Sequence, residues 1–210
     1  MSVATVAILD YGMGNLRSAE KAFEHVGVRA AITSDHERVR AADGVVLPGV
    51  GAFPMAMERV RHLELDDLLN ERRDADVPIL GICLGMQLLF ESSTELGGGT
   101  GIGLLEGDVD LLDAPGLKVP HMGWNPVSWR SDAGLAAGLS DPCAFYHVHS
   151  FAARPLNEGD VAGTAIYGGE FASVVARPPV YGTQFHPEKS GPDGLALLRN
   201  FSTLCTRAAA

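Results

Sequence analysis

The run Pro78-Ile79-Leu80-Gly81-Ile82-Cys83-Leu84-Gly85-Met86-Gln87-Leu88-Leu89-Phe90 decides the fold. Its first half is an apolar, β-like stretch and its second half a good helix sequence, and the two meet at Gly-x-Cys-x-Gly. That spacing predicts a nucleophile on a sharp strand-to-helix turn, the thiol counterpart of the Gly-x-Ser-x-Gly elbow. Flanking glycines permit the tight backbone and the close approach of neighbouring elements. A sulfur at a helix N-terminus faces free amides and the positive end of the helix dipole, which favour the negative charge of a thiolate. Cys143 and Cys205 share no such setting and read as inert core thiols.

Upstream, Val3 to Leu9 is a continuous apolar run, as expected of a strand covered on both faces. The loop Asp10 to Asn15 and a helix from Leu16 to about Val26 follow. A short strand spans Val28 to Ile32, and Ser34 with Glu37 fits a capping box opening a short helix. Gly44 to Leu47 is a third strand, ending in the loop Pro48-Gly49-Val50-Gly51. Helical sequence at Met55 to Arg61 and Leu65 to Arg73 leads to the strand before Cys83. This β-α alternation predicts a parallel sheet wrapped by helices. After Gly97-Gly98-Gly99 the texture changes. Short β-like runs near Gly107 to Leu112, Pro126 to Trp129, Ala162 to Tyr167, Ser173 to Ala176 and Val180 to Gln184 suggest antiparallel strands added to the same sheet. A last helix opens at Gly191-Pro192 and carries Leu197, Leu198, Phe201, Leu204 and Cys205 on one face. The expectation is an α/β fold. It is a single domain over residues 1–210, with a central, mostly parallel sheet, added antiparallel strands and helices on both faces. Ligands in such sheets sit beyond the carboxyl ends of the strands, where the Asp10 loop, the Pro48 loop and Cys83 all fall.

Composition narrows the function. The 210 residues are 46% hydrophobic and 20% charged, suited to one globular domain with a full core. Sixteen basic against 26 acidic residues give a net charge of −10, which argues against nucleic acid or an anionic membrane as partner. Three widely spaced cysteines provide neither a disulfide framework nor a metal site. The sequence goes straight into a strand without a basic leader, and its longest apolar stretch is broken and too short to span a bilayer, so a cytoplasmic location is expected. Asp10-Tyr11-Gly12-Met13-Gly14 has the wrong spacing for a dinucleotide loop, and no cofactor is expected.

Far downstream lies Gln184-Phe185-His186-Pro187-Glu188. Proline pushes His186 into an extended conformation, and residues i and i+2 of an extended segment face one side, so His186 and Glu188 project together. A lone His-x-Glu is ordinarily surface; its pairing with Cys83 makes a nucleophile, a base and an orienting carboxylate, a complete acyl-transfer set. His25, His36 and His62 fall in helical or polar segments and read as solvated.

Gly81-Ile82-Cys83-Leu84-Gly85-Met86-Gln87 and Gln184-Phe185-His186-Pro187-Glu188 resemble the two signatures of class I (triad) glutamine amidotransferases, and Pro48-Gly49-Val50-Gly51 resembles that family's oxyanion loop. Within the family, Leu9 to Ser18, Pro48 to Phe53, Pro120 to Asn125, Phe145 to Phe151 and Gly182 to Gly191 are similar to the glutaminase subunits of imidazole glycerol phosphate synthases. A second aromatic is usual in that branch near Tyr146, where this chain has His147.

The resemblance implies hydrolysis of L-glutamine with transfer of the ammonia, without metal or organic cofactor. Cys83 would be the nucleophile, His186 the acid and base, Glu188 its orienter. Oxyanion amides would come from Leu84 and from the Gly49-Val50-Gly51 loop. Glutamine recognition falls to Gly51, Gln87, Glu95 and the backbone at His149, Ser150 and Phe151, with Glu95 suited to the α-ammonium group. The implied partner is a (βα)8-barrel cyclase subunit, forming a heterodimer in histidine biosynthesis. Its expected docking edge comprises Tyr11, Asn15, Arg17, His121, Trp124, Asn125 and Lys189, and Trp124 reads either as an interface anchor or as a core tryptophan. A cysteine hydrolase for other amides, an inactive scaffold subunit and the glutaminases of other syntheses are the competing readings.

Overall fold

The computed structural model describes residues 3–131 and 133–208. Four apolar runs become parallel neighbours: β1 (Thr5–Leu9), β2 (Arg29–Thr33), β3 (Gly44–Gly49) and β4 (Ile79–Cys83). Between them lie α1 (Leu16–His25), α2 (His36–Arg40), α3 (Phe53–His62) and α4 (Leu65–Asp74), and β4 passes directly into α5 (Leu84–Leu88). Successive β3 residues face opposite sides: Val46 enters one core cluster, Val45 and Leu47 the other. Both faces are therefore dry, which is why the run is apolar without alternation. Ala19, Ala22 and Phe23 bury one stripe of α1, and Phe23 meets Phe201 edge to face at 6.2 Å between centroids. Removing a ring like Phe23 from water contributes about 2–3 kcal/mol.

The second half holds β5 (Ser92–Ser93), β6 (Gly99–Thr100), β7 (Gly107–Leu111), β8 (His121–Trp129), β9 (Cys143–His149), β10 (Phe151–Pro155), β11 (Val161–Tyr167), β12 (Gly169–Arg177), β13 (Val180–Thr183) and the terminal α6 (Gly191–Ala208). One nine-stranded sheet runs β2-β1-β3-β4-β13-β12-β11-β8-β9; β13 joins β4 in parallel and the strands beyond it are antiparallel. Helices α1 and α6 pack on one face and α3, α4 and α5 on the other. Among the described residues no helix is long and apolar enough to cross a membrane.

Three expectations are corrected. The run at Gly107 to Leu112 does not extend the main sheet: β7 pairs with β10 and β5 in a separate four-stranded sheet. Strands β9 and β10 were absent from the sequence reading, and β8 starts at His121 instead of Pro126. The cap of α2 is Asp35, not Ser34: its carboxylate accepts from the Glu37 and Arg38 amides at 2.9 and 3.2 Å, the geometry a helix start requires.

The elbow depends on two close approaches. A Cβ at Gly85 would sit 1.7 Å from the Leu47 carbonyl oxygen, and one at Gly81 would sit 2.6 Å from the Met86 Cα. Neither contact can yield without separating α5 from the sheet. Gly85→Ala is therefore expected to destabilise the chain by at least about 3 kcal/mol, seen as a large fall in the urea midpoint; an unchanged midpoint would contradict this packing.

Candidate active site

Cys83 is the last residue of β4 and caps α5, with φ 55° and ψ −113°. A side chain at positive φ is strained, by about 1–3 kcal/mol, and persists only where the surroundings impose it. Here the glycines at 81 and 85 let the helix close over the strand end. The thiol is buried, 3.8 Å from the Val148 carbonyl, to which it donates, and 3.8 Å from Gln184 Nε2, which donates to it.

His186 arrives from the end of β13. Its own amide donates to the Tyr146 carbonyl at 3.0 Å, tying the segment to β9. The Ser190 hydroxyl donates to the His186 carbonyl at 2.7 Å and accepts from the Tyr146 amide at 3.0 Å. The backbone of His186 is extended, as proline dictates. Pro187–Lys189, however, is a short 3-10 turn, and it is this turn that brings Glu188 back beneath the ring. Nδ1 and Glu188 Oε1 lie 2.8 Å apart, both side chains 3% exposed. Because Nδ1 donates to the carboxylate, Nε2 is left to address Cys83, and among the described residues no group makes an ordinary hydrogen bond to it. Burial works against an imidazolium here, yet Cys83 and Glu188 outweigh it and raise His186 to about 9.

A cavity of about 300 Å³ opens over this pair. Its wall brings together Cys83 and His186 with the expected substrate residues Gly51, Gln87, Glu95, His149, Ser150 and Phe151, and with Val50, Leu84 and Lys189. Gly49 stands beside Cys83 in the β3–β4 ladder, outside the lining. Glu95 also serves the scaffold, accepting from the Phe53 amide at 2.8 Å at the start of α3. Gln87 Nε2 donates to the Phe151 carbonyl at 2.9 Å and to Gln184 Oε1 at 3.0 Å. Pro120, Val148 and the buried Gln184 were not assigned from sequence. For Gln184 a signal existed: it lies two residues before His186, on the same side of an extended strand end.

The expected docking edge divides. Trp124 is 59% exposed, its ring edge-on to Tyr146, so it is no core residue; Arg17 and Lys189 are also exposed. Asn15 is half-buried and accepts from the Ser18 hydroxyl. Tyr11, His121 and Asn125 are buried within this chain. Tyr11 donates to the Pro48 carbonyl at 2.7 Å, holding the loop that carries Gly49, while His121 and Asn125 hydrogen-bond inside the sheet at the back of the cavity. Cys143 and Cys205 are buried, and desolvation raises them to about 11 and about 12. No cluster of metal ligands occurs among the described residues.

Residues 7–204 match the family described as Glutamine amidotransferase class-I. The chain is 48% identical over 196 residues to the imidazole glycerol phosphate synthase subunit HisH of Bacillus cereus (strain G9842), covering 93% of each. It is 48% identical over 199 residues to the subunit of the same name from Rhodopirellula baltica, covering 94% of this chain and 97% of that one. Among solved structures, one described as a glutamine amidotransferase superposes with a TM-score of 0.74 at 21% identity, over 96% of this chain and 98% of the other. PurLQS from Thermotoga maritima superposes with a TM-score of 0.74 at 18% identity, over 95% and 98%. These structural likenesses establish the fold.

Because His186 is held at about 9, above the 6.5 of a free imidazole, its contribution to stability is complete below about pH 6.5 and lost as pH rises through about 9. Glu188→Gln removes the carboxylate charge that supports this shift. The stability gap between parent and variant is expected to be on the order of 1–3 kcal/mol in mild acid and to close in alkali, read by urea unfolding across pH. A gap that widens with pH would contradict the pairing.

Proposed function

The chain belongs to the class-I glutamine amidotransferase family, and on that premise we propose that it is the glutaminase subunit of an imidazole glycerol phosphate synthase, delivering ammonia to a separate cyclase subunit in histidine biosynthesis. The observation that carries this reading is the single cavity in which Cys83 and His186 meet Gln87 and Glu95. The likeness to subunits bearing that name, over nearly the whole chain, supports the choice of pathway.

In this reading Cys83 gives its thiol proton to His186 Nε2 and the thiolate Sγ attacks the side-chain amide carbon of glutamine. The carbonyl oxygen takes up negative charge opposite the Leu84 amide and an amide of the Gly49-Val50-Gly51 loop, each such donor contributing about 3 kcal/mol. His186 Nε2 hands its proton to the departing nitrogen, the C–N bond breaks, and ammonia leaves a γ-glutamyl thioester on sulfur. His186, now neutral, takes a proton from water as the water attacks the thioester; glutamate departs and the thiol is restored. Glu188 fixes the Nδ1–H tautomer and offsets the imidazolium charge.

Free ammonia is protonated in neutral water and loses its nucleophilicity, so the product is useful only when handed to an acceptor site. Val50, Met122 and Trp124 are exposed apolar side chains; such residues support docking of a partner. The partner in this proposal is the (βα)8-barrel cyclase, which acts on a ribonucleotide intermediate and yields imidazole glycerol phosphate and a purine precursor.

Cys83→Ala is expected to abolish glutamine hydrolysis while leaving partner binding intact, with the γ-glutamyl adduct of the parent found by mass spectrometry on the Cys83 peptide; an adduct on Cys143 or Cys205 would overturn the assignment. The isolated chain is expected to hydrolyse glutamine slowly and to accelerate strongly with cyclase and nucleotide ligand, and Trp124→Ala to weaken that complex by about 1–2 kcal/mol. Full activity of the lone chain would remove the coupling, and unchanged affinity of the variant would remove Trp124 from the interface.

A further inference from the structure

At the back of the cavity, β8, β9 and β12 enclose His121, His147 and His149, three histidines whose side chains the reaction leaves without a role. Their hydrogen bonds leave one self-consistent placement of protons. The Phe151 carbonyl can only accept, so His149 Nδ1, at 2.8 Å, carries the proton. His149 Nε2 is then an acceptor, and His121 Nδ1, 3.1 Å away, must donate to it. His121 Nε2 accepts in turn from Asn125 Nδ2 at 3.3 Å, while the same amide donates to the Ile166 carbonyl at 2.9 Å. The chain of donors runs in one direction, Asn125 to His121 to His149 to the Phe151 carbonyl.

That carbonyl is where the relay meets the site. It also accepts from Gln87 Nε2 at 2.9 Å; Gln87 donates on to Gln184, and Gln184 to the Cys83 sulfur. Phe151 begins β10 two residues past the end of β9, so its carbonyl anchors the corner at Ser150, which lines the cavity. Burial supports the assignment, lowering His149 to about 4 and His121 below its ordinary value, so that both rings stay neutral.

We propose that His121 is a positioning residue for glutamine: by donating to His149 it fixes the tautomer that pins the Phe151 carbonyl, and so sets the glutamine-facing wall of the cavity. Without that donor His149 Nε2 is left buried and unpaired. The ring is then held by its Nδ1–H bond to the Phe151 oxygen alone and is free to tilt, taking that carbonyl with it. This inference rests on the reading of the cavity as a glutamine site.

The test uses the full chain. His121→Phe keeps the ring that stacks on Tyr167 at 4.1 Å between centroids but cannot donate, whereas His121→Asn places an amide N–H where Nδ1–H was. Labelling of Cys83 by a chloroketone analogue of glutamine reads occupancy of the pocket, and iodoacetamide reads the thiol alone. The half-saturating chloroketone concentration is expected to rise about tenfold in His121→Phe and to return close to the parent value in His121→Asn, with iodoacetamide labelling unchanged throughout. Parent-like labelling in His121→Phe, or no recovery in His121→Asn, would overturn the proposal. Independently of any variant, nitrogen-15 spectra of the parent should place the His149 proton on Nδ1; a proton on Nε2 would overturn it even if His121→Phe fails to fold. Failure of the chloroketone to label a parent Cys83 that iodoacetamide does label would count against the glutamine reading instead, while the tautomer still decides the relay.

Discussion

The contact on which the rest of the molecule depends is the one between Gly85 and the carbonyl oxygen of Leu47. With no side chain at 85, α5 lies directly on the end of β3, and β4 must turn abruptly to enter it. The turn falls on Cys83, whose positive φ is the local cost of that closeness. The same constraint fixes the register of β3 with β4, which sets Gly49 opposite Cys83. A backbone contact between two central elements thereby determines where the Cys83 sulfur, the loop after Pro48 and the amides of α5 stand relative to one another.

Charge is distributed around this point by partner, not by burial. Desolvation disfavours the imidazolium of His121, His147, His149 and His186 alike. Only His186 has a carboxylate against its ring, and with the thiol on its other side it is raised where the others are lowered. His147 has the Phe145 carbonyl and the Ser173 hydroxyl instead, uncharged groups that satisfy both nitrogens and leave the ring neutral. One buried layer thus holds a histidine favoured in its charged form beside rings that burial keeps neutral.

What could be read from sequence was what is decided locally. The elbow is spelled out by glycine spacing, and His186 with Glu188 by a proline, although the turn that joins them is 3-10 and not extended. Pairing between distant segments has no such local mark, so β7 was assigned to the main sheet although it belongs with β10 and β5. Strand β9 was hidden because its inward positions include His147 and His149, polar residues that break the apolar alternation by which a strand is recognised. The segment His121-Met122-Gly123-Trp124-Asn125 did carry a usable signal. In a strand its first, third and fifth residues face one way and its second and fourth the other, and the structure buries His121 and Asn125 while exposing Met122 and Trp124. By that period of two, Met122 and Trp124 are the residues of the run that reach the surface.

The two walls of the cavity are built for different tasks. Around Cys83 every residue from Pro78 to Phe90 is buried, and the strained turn has no room to relax. The facing loop is the reverse: Val50 and Gly51 are exposed, and Gly51 sits at φ 98°, a conformation glycine leaves and re-enters at little cost. Tyr11 clamps this loop only at its base, through the Pro48 carbonyl. A nucleophile must hold its position to within a fraction of an ångström, whereas an oxyanion donor needs to be aligned only while charge is present. In the proposed reaction, placing the strain on the thiol side and the freedom on the amide side would keep Cys83 set while leaving completion of the oxyanion hole open to control by whatever rests on Val50.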